Sequence, residues 1–234
     1  MLAKFGTASR NRKLRQIFAG RDLEQIKVLD FGCGSGNFLL HLKSLGLEQA
    51  FGYDFDPEAC KCAVQAKLVA FSTEQELQDH GPYDFIFLNH VIEHLSNPQD
   101  ELERQAKRLA PNGKLILRTP NSGSMLAQLF GVNWRGWETP RHLHIFNAQN
   151  ITSLVKQSST GQHPLSIQEQ STSNAMFAGI YHESFHKSFW RTHKLGKLVR
   201  HALCTPLFVL GILLNAVTGR HGEEVLLVLQ APDK

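Results

Sequence analysis

The 234-residue sequence predicts an α/β fold built on a doubly wound, mostly parallel sheet. Three observations carry that expectation. Apolar runs of strand length alternate with stretches of helical periodicity, the pattern that buries a parallel sheet between helices. The first apolar run passes directly into a turn containing Gly32, Gly34 and Gly36, and then into a helix. No internal repeat or low-complexity tract interrupts the alternation, and a composition of 42% hydrophobic and 20% charged residues is that of a globular chain able to bury one core.

Leu14, Ile17 and Phe18 fall at helical spacing and Gly20 can end their helix, so residues 1–25 read as a helical cover ahead of the first strand. Residues 26–31 make that strand, and Phe38, Leu39 and Leu42 share one face of the helix that follows the turn and stops before Gly46. Residues 49–54 are strand two, and Pro57 opens a helix over 57–66 with Cys60 and Cys62 on different sides. Residues 68–71 and 83–89 are strands three and four, with Phe71, Phe85 and Phe87 as core. Residues 96–99 read as a capping box with Pro98 in the first turn, ahead of a helix through Leu102, Ala106 and Leu109. Pro111, Asn112 and Gly113 make a turn; 114–119 is strand five, 148–156 a helix, 165–171 strand six and 224–230 the last strand. Residues 175–222 are too long for a plain connection and read as a helical insertion. One domain is expected over 1–234, with its core at 26–174 and the last strand in 223–234.

The net charge of +4 is modest, with basic residues gathered near the N-terminus and between Lys187 and Arg200, which suits a phosphate-bearing or membrane-surface partner. Cys33, Cys60, Cys62 and Cys204 have neither the density of a disulfide scaffold nor the paired spacing of a zinc site, so a reducing, cytoplasmic setting is expected. The Arg-rich first twenty residues raise a transit peptide, but they lack the apolar core of a secretory signal, and the helical cover is the better reading.

The run Val-Leu-Asp-Phe-Gly-Cys-Gly-Ser-Gly-Asn-Phe, beginning at Val28, carries the chemistry. Its glycines let a ligand lie against the main chain, and free N–H groups at the next helix start can receive a carboxylate. Asp54, at the end of strand two and so beside strand one, can accept both hydroxyls of a ribose, which implies an adenosine ligand. A dinucleotide fingerprint needs its third glycine where Asn37 stands; here that glycine comes one residue early, at Gly36. Asp30 would repel a pyrophosphate, yet it could take the ammonium group of a methionine moiety.

On these stretches, together with Gly-Tyr-Asp-Phe-Asp-Pro at 52–57, residues 83–95 and residues 109–121, the chain resembles the class I S-adenosylmethionine-dependent methyltransferases of small-molecule type, similar to ubiquinone-pathway O-methyltransferases. The resemblance covers nearly the whole chain. It implies a Rossmann-like, seven-stranded sheet with an antiparallel last strand, and S-adenosyl-L-methionine as cofactor. By the same resemblance Asp54 holds the ribose, Phe55 lies near adenine, and Asn89 with His90 lines the floor beneath the cofactor. There is one departure. Where such enzymes often carry an acid after strand three for the adenine amino group, residues 68–73 offer only Ser72 and Thr73 before Glu74.

Methyl transfer from a sulfonium needs alignment and exclusion of water, plus a base only where the acceptor must lose a proton. Residues 134–146, after strand five, supply Trp137 and Arg141 as candidate acceptor contacts and His142 and His144 as candidate bases; in an extended segment the two histidines point to one face. His90-Val-Ile-Glu93-His94 fits the H-x-x-E-H zinc pattern, but it starts where strand four ends, so helical spacing is not secured and no metal is expected. Residues 202–217 are nearly all apolar and follow Arg191, Lys194, Lys197 and Arg200. Too short for a bilayer crossing, they read either as a buried lid or as a basic, apolar surface over 198–218 for a membrane or a lipid-like acceptor. Strand four ends Asn89-His90-Val91-Ile92, without the Pro-Pro-aromatic run of amino-methylating nucleic-acid enzymes, so no nucleic-acid partner is expected. A nicotinamide-dependent enzyme and a non-catalytic binding module on the same fold stay open as alternatives.

Overall fold

Four buried residues, Val28–Phe31, form β1 at the middle of the sheet, and strands are added on both sides of it. The computed structural model describes residues 2–159, 163–174, 179–181, 183, 184, 206, 209–211, 213, 215 and 221–233. The greater part of 175–222, including Arg191, Lys194, Lys197 and Arg200, lies outside the described residues.

Along the chain the elements are α1 (Leu2–Ile17), β1, α2 (Asn37–Ser44), β2 (Ala50–Tyr53), α3 (Pro57–Gln65), β3 (Val69–Phe71), α4 (Glu74–Asp79), β4 (Tyr83–Asn89), α5 (Pro98–Arg108), β5 (Leu109–Pro120), α6 (Met125–Phe130), α7 (Ala148–Ser158), β6 (Ser166–Ser173) and β7 (Glu224–Gln230). The seven strands lie in the order β3-β2-β1-β4-β5-β7-β6. β1 pairs in parallel with β2 and β4, and β7 alone runs antiparallel, slotted between β5 and β6. The doubly wound sheet with an antiparallel last strand is therefore what the chain forms.

Alternate residues of each strand feed two cores. Leu29, Ile86, Leu88, Leu115, Leu117 and Leu227 meet Leu102 of α5 and Ile151 and Val155 of α7 on one face. On the other, Val28, Phe85, Phe87, Ile116 and Val228 meet Leu14, Phe18, Leu39, Leu42 and Ala63 from the α1, α2 and α3 side. Each fully buried Leu or Phe side chain contributes roughly 2 kcal/mol of transfer free energy, so the two faces together fix which side of every strand points where. Before β1, α1 runs over Leu2–Ile17; Leu14, Ile17 and Phe18 are buried, and Phe18 packs edge-on against Phe85 with ring centroids 4.9 Å apart.

Several local expectations are corrected. α5 is capped by Asn97, whose side chain accepts from the Asp100 N–H, and not by a box starting at Ser96, because Pro98 takes the first helical position and makes its predecessor the cap. The Pro111–Gly113 turn sits inside β5 as an irregularity: Leu109 pairs with Tyr83 and Lys114 with Phe85, and Asn112 has φ 58°. α4 and α6 are additional to the elements expected. Residues 134–146 are not extended but turn repeatedly, through the 3-10 turn Arg135–Trp137, Glu138 at φ 34° and a cis Thr139–Pro140 bond, so strand alternation does not govern His142 and His144.

Candidate functional site

The C-terminal ends of β1, β2 and β4 meet where chain connections leave in opposite directions, the place where open α/β sheets leave a crevice. The turn after β1 is tied to β2, since the N–H groups of Gly32 and Cys33 both donate to the Tyr53 carbonyl, at 2.7 and 2.9 Å. Gly32 and Gly36 have positive φ, and a Cβ on either would strike a neighbour at 2.4 Å, Val91 and Leu68 respectively. Gly34 also has positive φ, but a Cβ there meets nothing within 4 Å, so this glycine keeps the main chain bare toward open space. No side chain caps the start of α2, which leaves its first amides for a ligand.

Asp54 follows β2 and is buried, with Oδ2 accepting the Gly34 N–H at 2.8 Å and Oδ1 accepting the Asp56 N–H at 3.0 Å. Phe55, beside it, is 85% exposed. Asp30 at the end of β1 is buried, its Oδ1 accepting from Asn89 Nδ2 at 3.4 Å; burial pushes its carboxyl up to about 7. His90 follows β4 with φ 55°. Its Nε2 lies 2.8 Å from Glu224 Oε1 on β7, so the imidazole is committed to β7 while the backbone runs along the crevice. Burial works to lower the His90 pKa, but the carboxylates of Glu224 and Glu93 outweigh it and raise the value to about 9. Glu74, the acid nearest the end of β3, pairs with Arg108.

A second group of side chains lies past β4 and β5. Ile92–His94 is a 3-10 turn, and the Glu93 carbonyl accepts the N–H groups of Leu143 and His144 at 2.8 and 3.1 Å, which staples the 134–146 segment onto this turn. Nδ1 of His94 lies 2.9 Å from the Arg141 carbonyl, and Nδ1 of His142 lies 2.7 Å from the Gly136 carbonyl. The two imidazoles pack edge to face with centroids 4.8 Å apart. Burial lowers the His142 pKa, against the bond to Gly136. Glu93 is buried; its Oε2 accepts from Thr119 Oγ1 at 3.0 Å, and its Oε1 accepts no hydrogen bond although His90 Nδ1 stands 3.4 Å away. His144 stacks on Phe146. Trp137 donates through Nε1 to the Gly131 carbonyl at 2.7 Å, and Arg141 is exposed with Nη1 on Glu138 Oε1 at 2.7 Å.

Asp30 with Asn89, and Gly34 with Asp54, are thus joined across neighbouring strand ends; Phe55 and His90 are the next residues along the chain, and His142, His144, Trp137 and Arg141 lie on the 134–146 segment. The H-x-x-E-H pattern survives only in part: His90 turns to Glu224, and His142 stands beside Glu93 and His94 instead. Sequence reading missed that grouping, together with Thr119 and Glu224. The one signal for the latter was an acidic pair, Glu223-Glu224, opening an otherwise apolar strand.

Comparison with known proteins gives three findings. A family model described as a methyltransferase domain matches residues 6–158. Among curated proteins, the chain is 31% identical over 114 residues to the ribosomal protein L11 methyltransferase of Xanthomonas oryzae pv. oryzae (strain MAFF 311018), covering 45% of this chain and 35% of that one. It is 28% identical over 136 residues to the ubiquinone biosynthesis O-methyltransferase of Rickettsia bellii (strain OSU 85-389), covering 54% of this chain and 56% of that one. The matched region therefore spans about half the length of these relatives or less. Among solved structures, the plantazolicin methyltransferase BpumL in complex with a triazolic desmethylPZN analog and SAH superposes with a TM-score of 0.59 at 17% identity, covering 100% of this chain and 86% of that one, a likeness of fold.

Proposed function

The chain belongs to the methyltransferase domain family, and from that premise we propose that it moves a methyl group from S-adenosylmethionine to an acceptor hydroxyl by in-line displacement. The observation that carries this reading is Asp30, a buried carboxyl at the mouth of a bare glycine turn, with Asp54 one strand away. The residues fit the ligand. An ammonium group against Asp30 supplies the counter-charge that burial otherwise denies it. Asp54, which already takes one N–H on each oxygen, keeps lone pairs for a ribose diol. Phe55 offers an exposed ring to adenine, and Asn89 with the His90 backbone forms the floor.

When bound, the sulfonium supplies a methyl group that is already activated, so the chain itself has to align the acceptor, exclude water and receive a proton. His142 is suited to receiving that proton, because its Nδ1 is engaged by the Gly136 carbonyl, leaving Nε2 as the accepting atom, and Glu138 Oε2 stands 3.7 Å from that nitrogen. His144 is the alternative base, and Trp137 and Arg141 border the acceptor side. Oxygen as the attacked atom is supported by the ubiquinone O-methyltransferase relatives. A small-molecule, glycan or lipid-like acceptor is supported by exposed apolar side chains that follow β5 in the chain, Leu129, Val132 and Leu143, with Val209, Leu210 and Leu213 in the insertion. The whole chain is read as one catalytic unit, the cover of residues 1–25 being joined to the sheet through Phe18 and the Lys13–Glu169 pair.

Calorimetry with S-adenosylmethionine tests the reading. Asp54→Ala removes two charge-assisted contacts to the ribose, each about 1.5–3 kcal/mol, so affinity should fall on the order of a hundredfold or more. No heat of binding, or an unchanged affinity in the variant, overturns it. Incubation of labelled cofactor with quinone, lipid and glycan extracts then reads out which acceptor class gains the label.

A further inference from the structure

We propose that Glu93, His94 and His142 form a binding site for a borderline divalent cation, of which zinc is the best match, at the ends of β4 and β5. One potential donor atom from each of the three lies within 4.8 Å of the others. Donors around a first-row ion held at about 2.0–2.1 Å stand no more than roughly 4.2 Å apart, so modest side-chain adjustment closes the set.

Three features argue for an ion over a casual cluster. Both imidazoles already have Nδ1 against a backbone carbonyl, Arg141 for His94 and Gly136 for His142. That arrangement puts the ring proton on Nδ1 and leaves the Nε2 lone pair outward, the orientation that outer carbonyls impose on metal-binding histidines. Glu93, 1% exposed, is oriented in the same way: Thr119 holds Oε2, while Oε1 is buried without a hydrogen bond and has only the longer 3.4 Å ion pair to His90 Nδ1 to give up. Finally, the main-chain staple from the Glu93 carbonyl to Leu143 and His144 fixes the two segments that supply the donors, so the backbone of the site is in place before any ion arrives and only side chains need move.

Two imidazoles and one carboxylate favour zinc or a neighbouring first-row ion over magnesium or calcium, which prefer oxygen donors. His94 is only partly buried, which gives an entry path. Three protein donors leave coordination positions open. That the open positions hold an acceptor oxygen rests on the methyl-transfer reading, with His142 then serving as ligand in place of base; the binding of the ion does not rest on it.

Tag-free protein, stripped with chelator and dialysed against zinc, should retain one ion per chain by elemental mass spectrometry, and cobalt loading should give visible absorption bands. His94→Gln, His142→Gln and Glu93→Gln, each checked for folding by circular dichroism, should each weaken zinc binding roughly tenfold or more. Cys62→Ser, removing the exposed thiol, should leave it unchanged. Substoichiometric zinc in the unaltered protein, or retained affinity in the three Gln variants, overturns the site. S-adenosylmethionine calorimetry on the same preparations separates the two readings: cofactor heat without zinc sinks the metal site alone, and zinc without cofactor heat sinks the methyl-transfer reading alone.

Discussion

Asp30 sets a pH dependence. Its carboxyl is pushed up to about 7, first by burial and then by the nearby charge of Asp54, with the Asn89 hydrogen bond working the other way. On the proposed reading a ligand ammonium pairs with the ionised form, so below about pH 7 binding must first expel a proton. Calorimetric affinity for S-adenosylmethionine should therefore fall roughly tenfold per pH unit on the acid side of 7. It should also decline where the ligand's own α-amino group titrates, at about 7.7–8.0. Asp30→Asn should bind more weakly and lose the acid limb; an acid limb that persists in the variant would exclude Asp30 as its source. The glycines give a second contrast. Gly36→Ala combines a left-handed backbone with a 2.4 Å clash on Leu68 and should cost roughly 3 kcal/mol or more in urea unfolding. Gly34→Ala meets no protein atom within 4 Å, so it should cost only about 1–2 kcal/mol and yet abolish cofactor binding. Equal losses of stability in the two variants would show that Gly34 has a packing role as well.

At the level of elements, what the sequence made legible and what it hid divide by range. Six of the seven strands could be placed because their apolar runs are local, whereas β6 holds a single apolar residue, Ile167, and none of its residues is buried. α4 escaped because its six residues hold one buried apolar side chain, Leu77, too few for a periodicity. The local signal that could have found it was Thr73 with Glu76, which forms a reciprocal capping box. Thr73→Ala should consequently lower stability by about 1 kcal/mol, read as a shift in the urea midpoint, and no shift would mean that β3 and β4 hold the helix without its cap. The crevice proposed for the cofactor could be named from the sequence because its glycines and acids sit at strand ends, where Asp30 is in register with Gly52 and Phe87. The Glu93, His94 and His142 grouping was not. It depends on the Glu93 carbonyl meeting the amides of Leu143 and His144, a contact that no spacing rule within either segment encodes.

For the whole molecule, exposed apolar side chains matter more than net charge. Val132 is 92% exposed, and Leu129, Leu143, Val209, Leu210 and Leu213 are exposed with it. Among the described residues no helix is long and apolar enough to cross a membrane. With basic residues at 187–200 adjoining the apolar run in sequence, the expected mode is peripheral contact, part hydrophobic and part electrostatic. In a vesicle flotation assay the protein should rise with anionic vesicles, less so at high salt, and stay behind with neutral ones. Absence from both fractions would point to a freely diffusing acceptor.

The placement of β7 between β5 and β6 has a kinetic corollary. On the ribosome β6 emerges well before β7, the one strand among the described residues that flanks it, so it waits for that partner until the far side of residues 175–222 has been translated. Pairing two strands so far apart in sequence is a slow, high-contact-order event. Chains stalled in that interval would be the ones that aggregate or need a chaperone.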